Sequence, residues 1–156
     1  MGAVNALLTL RRPTRHNARI EIDVERMAKI LLTEDDEAVR AFVARALSMD
    51  GHEVVEACDG EEGFDHLQEH RGEFDLLLSD IKMPFMDGIE LAHTSAANWP
   101  ELKILMMTGY ADQRERADNL SKIVIDVVSK PFTLAQIREQ VRNALQDNFQ
   151  EMRNAS

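Results

Sequence analysis

From Met27 onward, short apolar runs alternate with longer amphipathic stretches, and this alternation restricts the fold more than any other property of the chain. "KILLT" (29–33), "EVVEA" (53–57), "FDLLLSD" (74–80), "LKILMMT" (102–108) and "IVIDVV" (123–128) read as five strands. The third run is apolar on both faces, as central strands of a parallel sheet are. Between them, "DEAVRAFVARALSMD" places Val39, Phe42, Val43, Ala46 and Leu47 at helical spacing, with Gly51 as its C-terminal stop. Asp36 is positioned to cap that helix. Asp59 can cap the next, whose Phe64 and Leu67 face inward. A short helix is expected from about Gly88 to Ala97, and "TLAQIREQVRNALQDN" forms the last, opened by Thr133 with Gln136 in the capping-box position. The expected fold is α/β, a five-stranded parallel sheet with helices on both faces, over residues 27–148.

Parallel strands deliver all their C-termini to one edge, and ligand sites of open α/β sheets form there. The residues at that edge are Glu34, Asp35 and Asp36 after the first strand, Asp80 at the tip of the third, Thr108 ending the fourth and Lys130 after the fifth. Three clustered carboxylates repel one another unless a cation sits among them, and hard oxygen ligands with an open site suit Mg²⁺. Asp35, Asp80 and Glu34, the last directly or through water, are the expected ligands. With Lys130 as a fixed positive charge and Thr108 as a hydroxyl donor, the set describes a carboxylate nucleophile equipped for phosphoryl transfer. Gly109 leaves room for the transferred group.

Composition limits the partners. The 156 residues carry 28 acidic and 18 basic side chains, a net charge of -10, which disfavours direct binding to DNA or to anionic membranes. No run of eighteen apolar residues exists, so no membrane span is expected. The single cysteine, Cys58, excludes an internal disulfide and is expected to be a small core residue, which fits a cytoplasmic protein. Residues 1–26 hold five arginines and three acids without a clear period, and are expected to be an N-terminal extension rather than a targeting peptide. Residues 149–156 are expected to be a short tail, too short for an output domain.

"TEDD", "SDIKMPFMDG", "MMTGY" and "SKPFT" together resemble the receiver domain of two-component response regulators, in order and at family-like intervals of 45, 28 and 22 residues between Asp35, Asp80, Thr108 and Lys130. The resemblance spans about four-fifths of the chain. It implies a CheY-like (βα)5 fold and phosphorylation of Asp80 by a sensor histidine kinase or histidine phosphotransfer protein. It further implies Mg²⁺ held by Glu34, Asp35, Asp80 and the backbone carbonyl of Lys82, assistance by Thr108 and Lys130, and a cis Lys130–Pro131 bond. Asp36 lies one place beyond the family's acidic pair. The absence of an output domain implies a stand-alone receiver, acting on a downstream protein or relaying the phosphoryl group. A narrower resemblance is to stand-alone receivers that serve the Clp protease as phosphorylation-controlled adaptors. Many receivers dimerise through the fourth helix, fifth strand and fifth helix, so the 111–148 face, with Arg114, Arg116, Asp118, Arg138 and Arg142, is the expected homodimer surface.

Other readings fit less well. A haloacid dehalogenase-type phosphatase also uses Mg²⁺ and a strand-tip aspartate, but needs a second aspartate two positions on, where this chain has Lys82. A purely structural module would have no need of the acidic pair. One departure from the family concerns output: the aromatic residue that often precedes the lysine by three positions is replaced by Val127, leaving Tyr110 as the nearby aromatic. Lys82 and Tyr110 are expected to flank the phosphoryl position.

Overall fold

The computed structural model describes residues 27–147; the N-terminal extension and the C-terminal tail lie outside the described residues. Five strands, β1 (Lys29–Thr33), β2 (Glu53–Ala57), β3 (Leu76–Asp80), β4 (Lys103–Thr108) and β5 (Asp126–Ser129), alternate with five helices, α1 (Glu37–Met49), α2 (Gly60–Glu69), α3 (Gly88–Asn98), α4 (Ala111–Asp118) and α5 (Leu134–Gln146). All pairings are parallel, in the order β2-β1-β3-β4-β5. The order reverses direction between β1 and β3, and a crevice opens at such a point beyond the strand C-termini.

Side-chain alternation along each strand sorts the core into two layers. Ile30, Leu32, Leu76, Leu78, Leu105 and Met107 pack with Val43, Ala46 and Leu47 of α1 and Ile137, Val141 and Ala144 of α5. Leu31, Leu77, Ile104 and Met106 pack with Leu67 of α2, Leu91 and Ala92 of α3 and Ala117 of α4. Every residue of β3 is buried. Each fully buried leucine there is worth about 1.5–3 kcal/mol, so the strand ending in Asp80 is the most firmly anchored platform for a reactive group.

Capping residues fix where the helices start. Asp36 Oδ1 accepts from the backbone amides of Ala38 (2.9 Å) and Val39 (3.1 Å), and Asp59 Oδ1 from Glu62 (2.8 Å). Thr133 and Gln136 form a reciprocal capping box. Gly51 ends α1 at φ 83°, in the left-handed region that glycine adopts without penalty. The Lys130–Pro131 bond is cis.

Several local expectations are corrected. β3 and β4 start at Leu76 and Lys103, two and one residues later than the apolar runs predict. β5 starts at Asp126 rather than Ile123: Ile123 and Val124 donate their amides to Leu120 O in a turn, so these apolar residues pack without joining the ladder. Phe42 is not inside; it is 37% exposed and lies against Phe132, with ring centroids 6.4 Å apart. Cys58 is exposed rather than in the core, because it falls just past the end of β2, where its thiol meets Glu62 Oε2 at 2.8 Å.

Candidate functional site

The C-terminal ends of β1, β3, β4 and β5 bring the sequence-predicted residues together around a cleft of about 870 Å³, lined by Glu34, Asp35, Asp80, Lys82, Gly109, Tyr110 and Lys130 among others. One carboxylate oxygen from each of Glu34, Asp35 and Asp80 lies within 4.8 Å of the others. Lys130 Nζ reaches into the set, 2.5 Å from Glu34 Oε1 and 3.3 Å from Asp80 Oδ1. Asp80 Oδ1 also accepts from its neighbour's amide, Ile81 N, at 3.0 Å. Both contacts fall on Oδ1, which fixes that oxygen of the carboxylate.

Adjoining strands stiffen this arrangement. Thr33 and Ser79 are register partners on β1 and β3, both fully buried, and their hydroxyls bond at 2.5 Å. Ser79 Oγ in turn donates to Asp80 O at 2.8 Å. The loop after β3 closes through Gly88 N to Ile81 O at 2.7 Å. At Gly88 a Cβ would stand 2.1 Å from Asp80 O, so the start of α3 lies directly on the backbone of the strand tip, an approach only glycine permits.

Burial dominates the electrostatics. It pushes the fully buried Glu34 carboxyl up to about 7, against the hydrogen bond from Lys130. It also raises Asp80 above the ordinary carboxylate range, with the charge of Lys130 opposing. Burial pulls the Lys130 ammonium down, but Glu34 and Asp80 together outweigh it and leave it raised. Three carboxylates face one ammonium, so with all ionised the cluster carries two uncompensated negative charges, which a dication would neutralise. The donor set fits Mg²⁺: it is all oxygen, and Asp35 remains exposed at the mouth.

Thr108 is 3% exposed and its hydroxyl is already committed, donating to Tyr110 O (3.1 Å) and accepting from Tyr110 N (3.2 Å). It ends β4, and both of its hydroxyl contacts go to the loop that follows. Lys82 Nζ sits 5.1 Å from the centroid of the Tyr110 ring, so the two residues expected to flank the phosphoryl position do meet. Beside Gly109 a Cβ would find only Lys130 Cβ, at 4.0 Å, which leaves the space the sequence suggests.

Arg40 escaped the sequence reading. Its Nη1 donates to Glu34 O at 2.8 Å and its Nε lies 3.5 Å from Glu56, tying the acidic loop to β2. The available signal was a basic residue one turn into a helix that follows an acidic pair. Two arginines of the 111–148 face make contacts within the chain. Arg138 pairs with Asp50 within the chain, and Arg114 Nη1 donates to Val127 O (3.0 Å) and Ser129 Oγ (2.9 Å). These two serve the chain's own packing in the structure.

Among the described residues no helix is long and apolar enough to cross a membrane. The family model of the response regulator receiver domain matches residues 30–142. The chain is 40% identical over 119 residues to the response regulator receiver protein CpdR of Brucella abortus (strain 2308), covering 76% of this chain and 98% of that protein. It is 34% identical over 124 residues to the sensor kinase CckA of the same strain, covering 80% of this chain but only 13% of that protein. The CheY-like receiver domain protein of Methanospirillum hungatei JF-1 superposes with a TM-score of 0.71 at 29% identity, over 81% of this chain and 98% of that one. Fold, acidic edge and family match agree: this chain belongs to the response regulator receiver domains, the signalling modules of two-component systems.

Proposed function

We propose that Asp80 is the phosphoacceptor of this receiver, taking a phosphoryl group from a histidine kinase or a histidine phosphotransfer protein. The observation that carries this reading is the position of Lys130 Nζ, between Glu34 and Asp80 at a strand tip held by β1 and β4. In the transfer, an Asp80 carboxylate oxygen attacks phosphorus in line, the P–N bond of the donor phosphohistidine breaks, and its electron pair returns to the imidazole nitrogen. Lys130 stabilises the negative charge of the transferring group, and the hydroxyl of Thr108 becomes a donor to the bound phosphoryl once it leaves Tyr110 O. Asp35, Asp80 and the backbone carbonyl of Lys82 would hold Mg²⁺. Glu34 would act through water, since its Oε1 is taken by Lys130 and its Oε2 accepts from Asp36 N at 3.1 Å. When bound, the ion neutralises oxygens of the incoming group.

Output then runs through phosphorylation-dependent protein binding. The similarity to CpdR and the protease-adaptor resemblance support a Clp protease as the downstream partner. Intact-mass spectrometry after incubation with acetyl phosphate tests the core of the reading: a single gain of about 80 Da is expected in the presence of Mg²⁺, lost in Asp80→Ala. A gain that persists in Asp80→Ala overturns the assignment. Repeated turnover of acetyl phosphate at an enzymatic rate would instead favour a phosphatase.

A further inference from the structure

At the far end of α2 a second set of metal-ligating side chains gathers. His66 and His70 stand four residues apart and Glu69 three from His66, a spacing that puts them on one side of a helix. One ligating atom from each of the three lies within 4.8 Å of the others. Around a tetrahedral ion with ligand bonds of about 2.0–2.1 Å those atoms would lie roughly 3.3 Å apart, within reach of small side-chain rotations. The set lies at the opposite edge of the sheet from Asp80, since His70 contacts Lys29, the first residue of β1, whereas Glu34 follows its last.

Two further observations point to a cation. His66 Nδ1 is buried and has no hydrogen-bond partner. His70 Nδ1 accepts from Lys29 Nζ at 2.8 Å, so the imidazole holds a lone pair there that an ion could take only by displacing the ammonium. His70 is also the C-cap of α2, where the helix dipole favours positive charge.

We propose that His66, Glu69 and His70 form a binding site for a divalent transition cation of the zinc class, with two imidazole nitrogens, one carboxylate oxygen and a fourth position open to water. Imidazole ligands separate it chemically from the oxygen-only edge at Asp80, which suits Mg²⁺. Lys29 competes with the ion for the His70 lone pair. The site is independent of phosphoryl transfer.

The test uses the full chain in excess Mg²⁺, titrated with Zn²⁺ by calorimetry and with Cu²⁺ followed by electron paramagnetic resonance. One Zn²⁺ equivalent is expected, with a copper spectrum showing coupling to two nitrogens. Both are kept in Asp80→Ala. H66Q/H70Q, with its fold checked by circular dichroism, loses both signals; E69Q, altered at an exposed side chain, weakens Zn²⁺; K29Q tightens it. Zinc binding abolished by Mg²⁺, an oxygen-only copper spectrum, or affinity unchanged in both H70Q and E69Q overturns the proposal.

Discussion

Gly88→Ala tests how closely α3 must approach the reactive strand tip. The added Cβ would lie 2.1 Å from Asp80 O and 2.9 Å from Asp80 C, against a floor near 3.0 Å for real contacts, so at least 0.9 Å of separation must be created. The Met106 Cε at 2.8 Å can rotate away, but the Asp80 atoms are backbone in a fully buried strand and cannot. Overpacking of this kind costs about 1–3 kcal/mol, and a rigid backbone clash belongs at the upper end. Better helix propensity returns at most about 1 kcal/mol. The net is a destabilisation of about 2 kcal/mol, or roughly 6–10 °C in Tm for a domain of this size. Whatever part of that separation is forced onto the Asp80 carbonyl rather than onto α3 also misplaces its carboxylate, and phosphorylation by acetyl phosphate should slow by up to about 100-fold. Gly109→Ala is the control, because its Cβ meets only Lys130 Cβ at 4.0 Å and should leave Tm within about 2 °C. Thermal melts and time-resolved intact-mass measurements read both quantities. A Gly88→Ala chain as stable and as quickly phosphorylated as the parent would falsify the close-approach argument.

Cys58 should alkylate slowly despite its exposure: the hydrogen bond and charge of Glu62 push its thiol up to about 11, so the iodoacetamide rate should still climb past pH 9. Glu62→Gln should bring the rate up at pH 8, and equal rates in the two chains would remove Glu62 as the cause. His52 is a buried imidazole whose Nδ1 accepts from Ala28 N at 3.0 Å, and burial holds it below its ordinary range with Asp50 and Asp75 opposing. Its neutral form belongs to the fold, so the unfolded chain gains the proton first and Tm should begin to fall as pH drops below ~6.5. His52→Asn, which can keep the acceptor without titrating, should flatten that decline; an unchanged slope would assign it to other groups. Lys82→Ala removes the ammonium over the Tyr110 ring at the cleft mouth, so water should reach phosphorylated Asp80 sooner and the phospho-lifetime should shorten. An unaltered lifetime would remove Lys82 from any shielding role.

The strand-tip site was legible because its residues are set by rules that act locally. An apolar run buried on both faces reads as a central parallel strand whose last residue emerges at the ligand edge; that puts Asp80 there, and the acidic pair Glu34 and Asp35 with Lys130 at neighbouring strand ends singles it out. Asp36, Asp59 and Thr133 announced helix starts by their own side-chain chemistry. What failed depended on partners far away in sequence or on the difference between packing and pairing. Ile123 and Val124 are apolar because they cover the core beside α4, and periodicity cannot distinguish that from a strand. Arg138 reaches Asp50, 88 residues away, so no local pattern distinguishes it from an arginine left for a partner chain. Cys58 looked like core because thiols usually are, yet one residue past β2 is already outside the sheet.

The valine at position 127 has a consequence for how the proposed phosphorylation would be transmitted. Val127 is 7% exposed and its carbonyl is held by Arg114, so no aromatic side chain is available there to rotate inward. The path that remains runs from Thr108 through Gly109 and Tyr110 to α4, whose first residue is Ala111. In the structure the Thr108 hydroxyl makes two bonds to the Tyr110 backbone, each worth about 1 kcal/mol net. Turning the hydroxyl to a phosphoryl oxygen gives up both for one charge-assisted bond of roughly twice that strength. The exchange is close to balanced. Phosphorylation would therefore shift the loop between two arrangements of similar energy rather than lock it, and a bound partner would supply the remaining bias. Thr108→Ala removes the exchange altogether: the chain should still accept a phosphoryl group on Asp80, more slowly for want of that donor, while partner affinity should no longer change with phosphorylation. An affinity that still responds to phosphorylation in that variant would place the transmitting contact elsewhere than on Thr108.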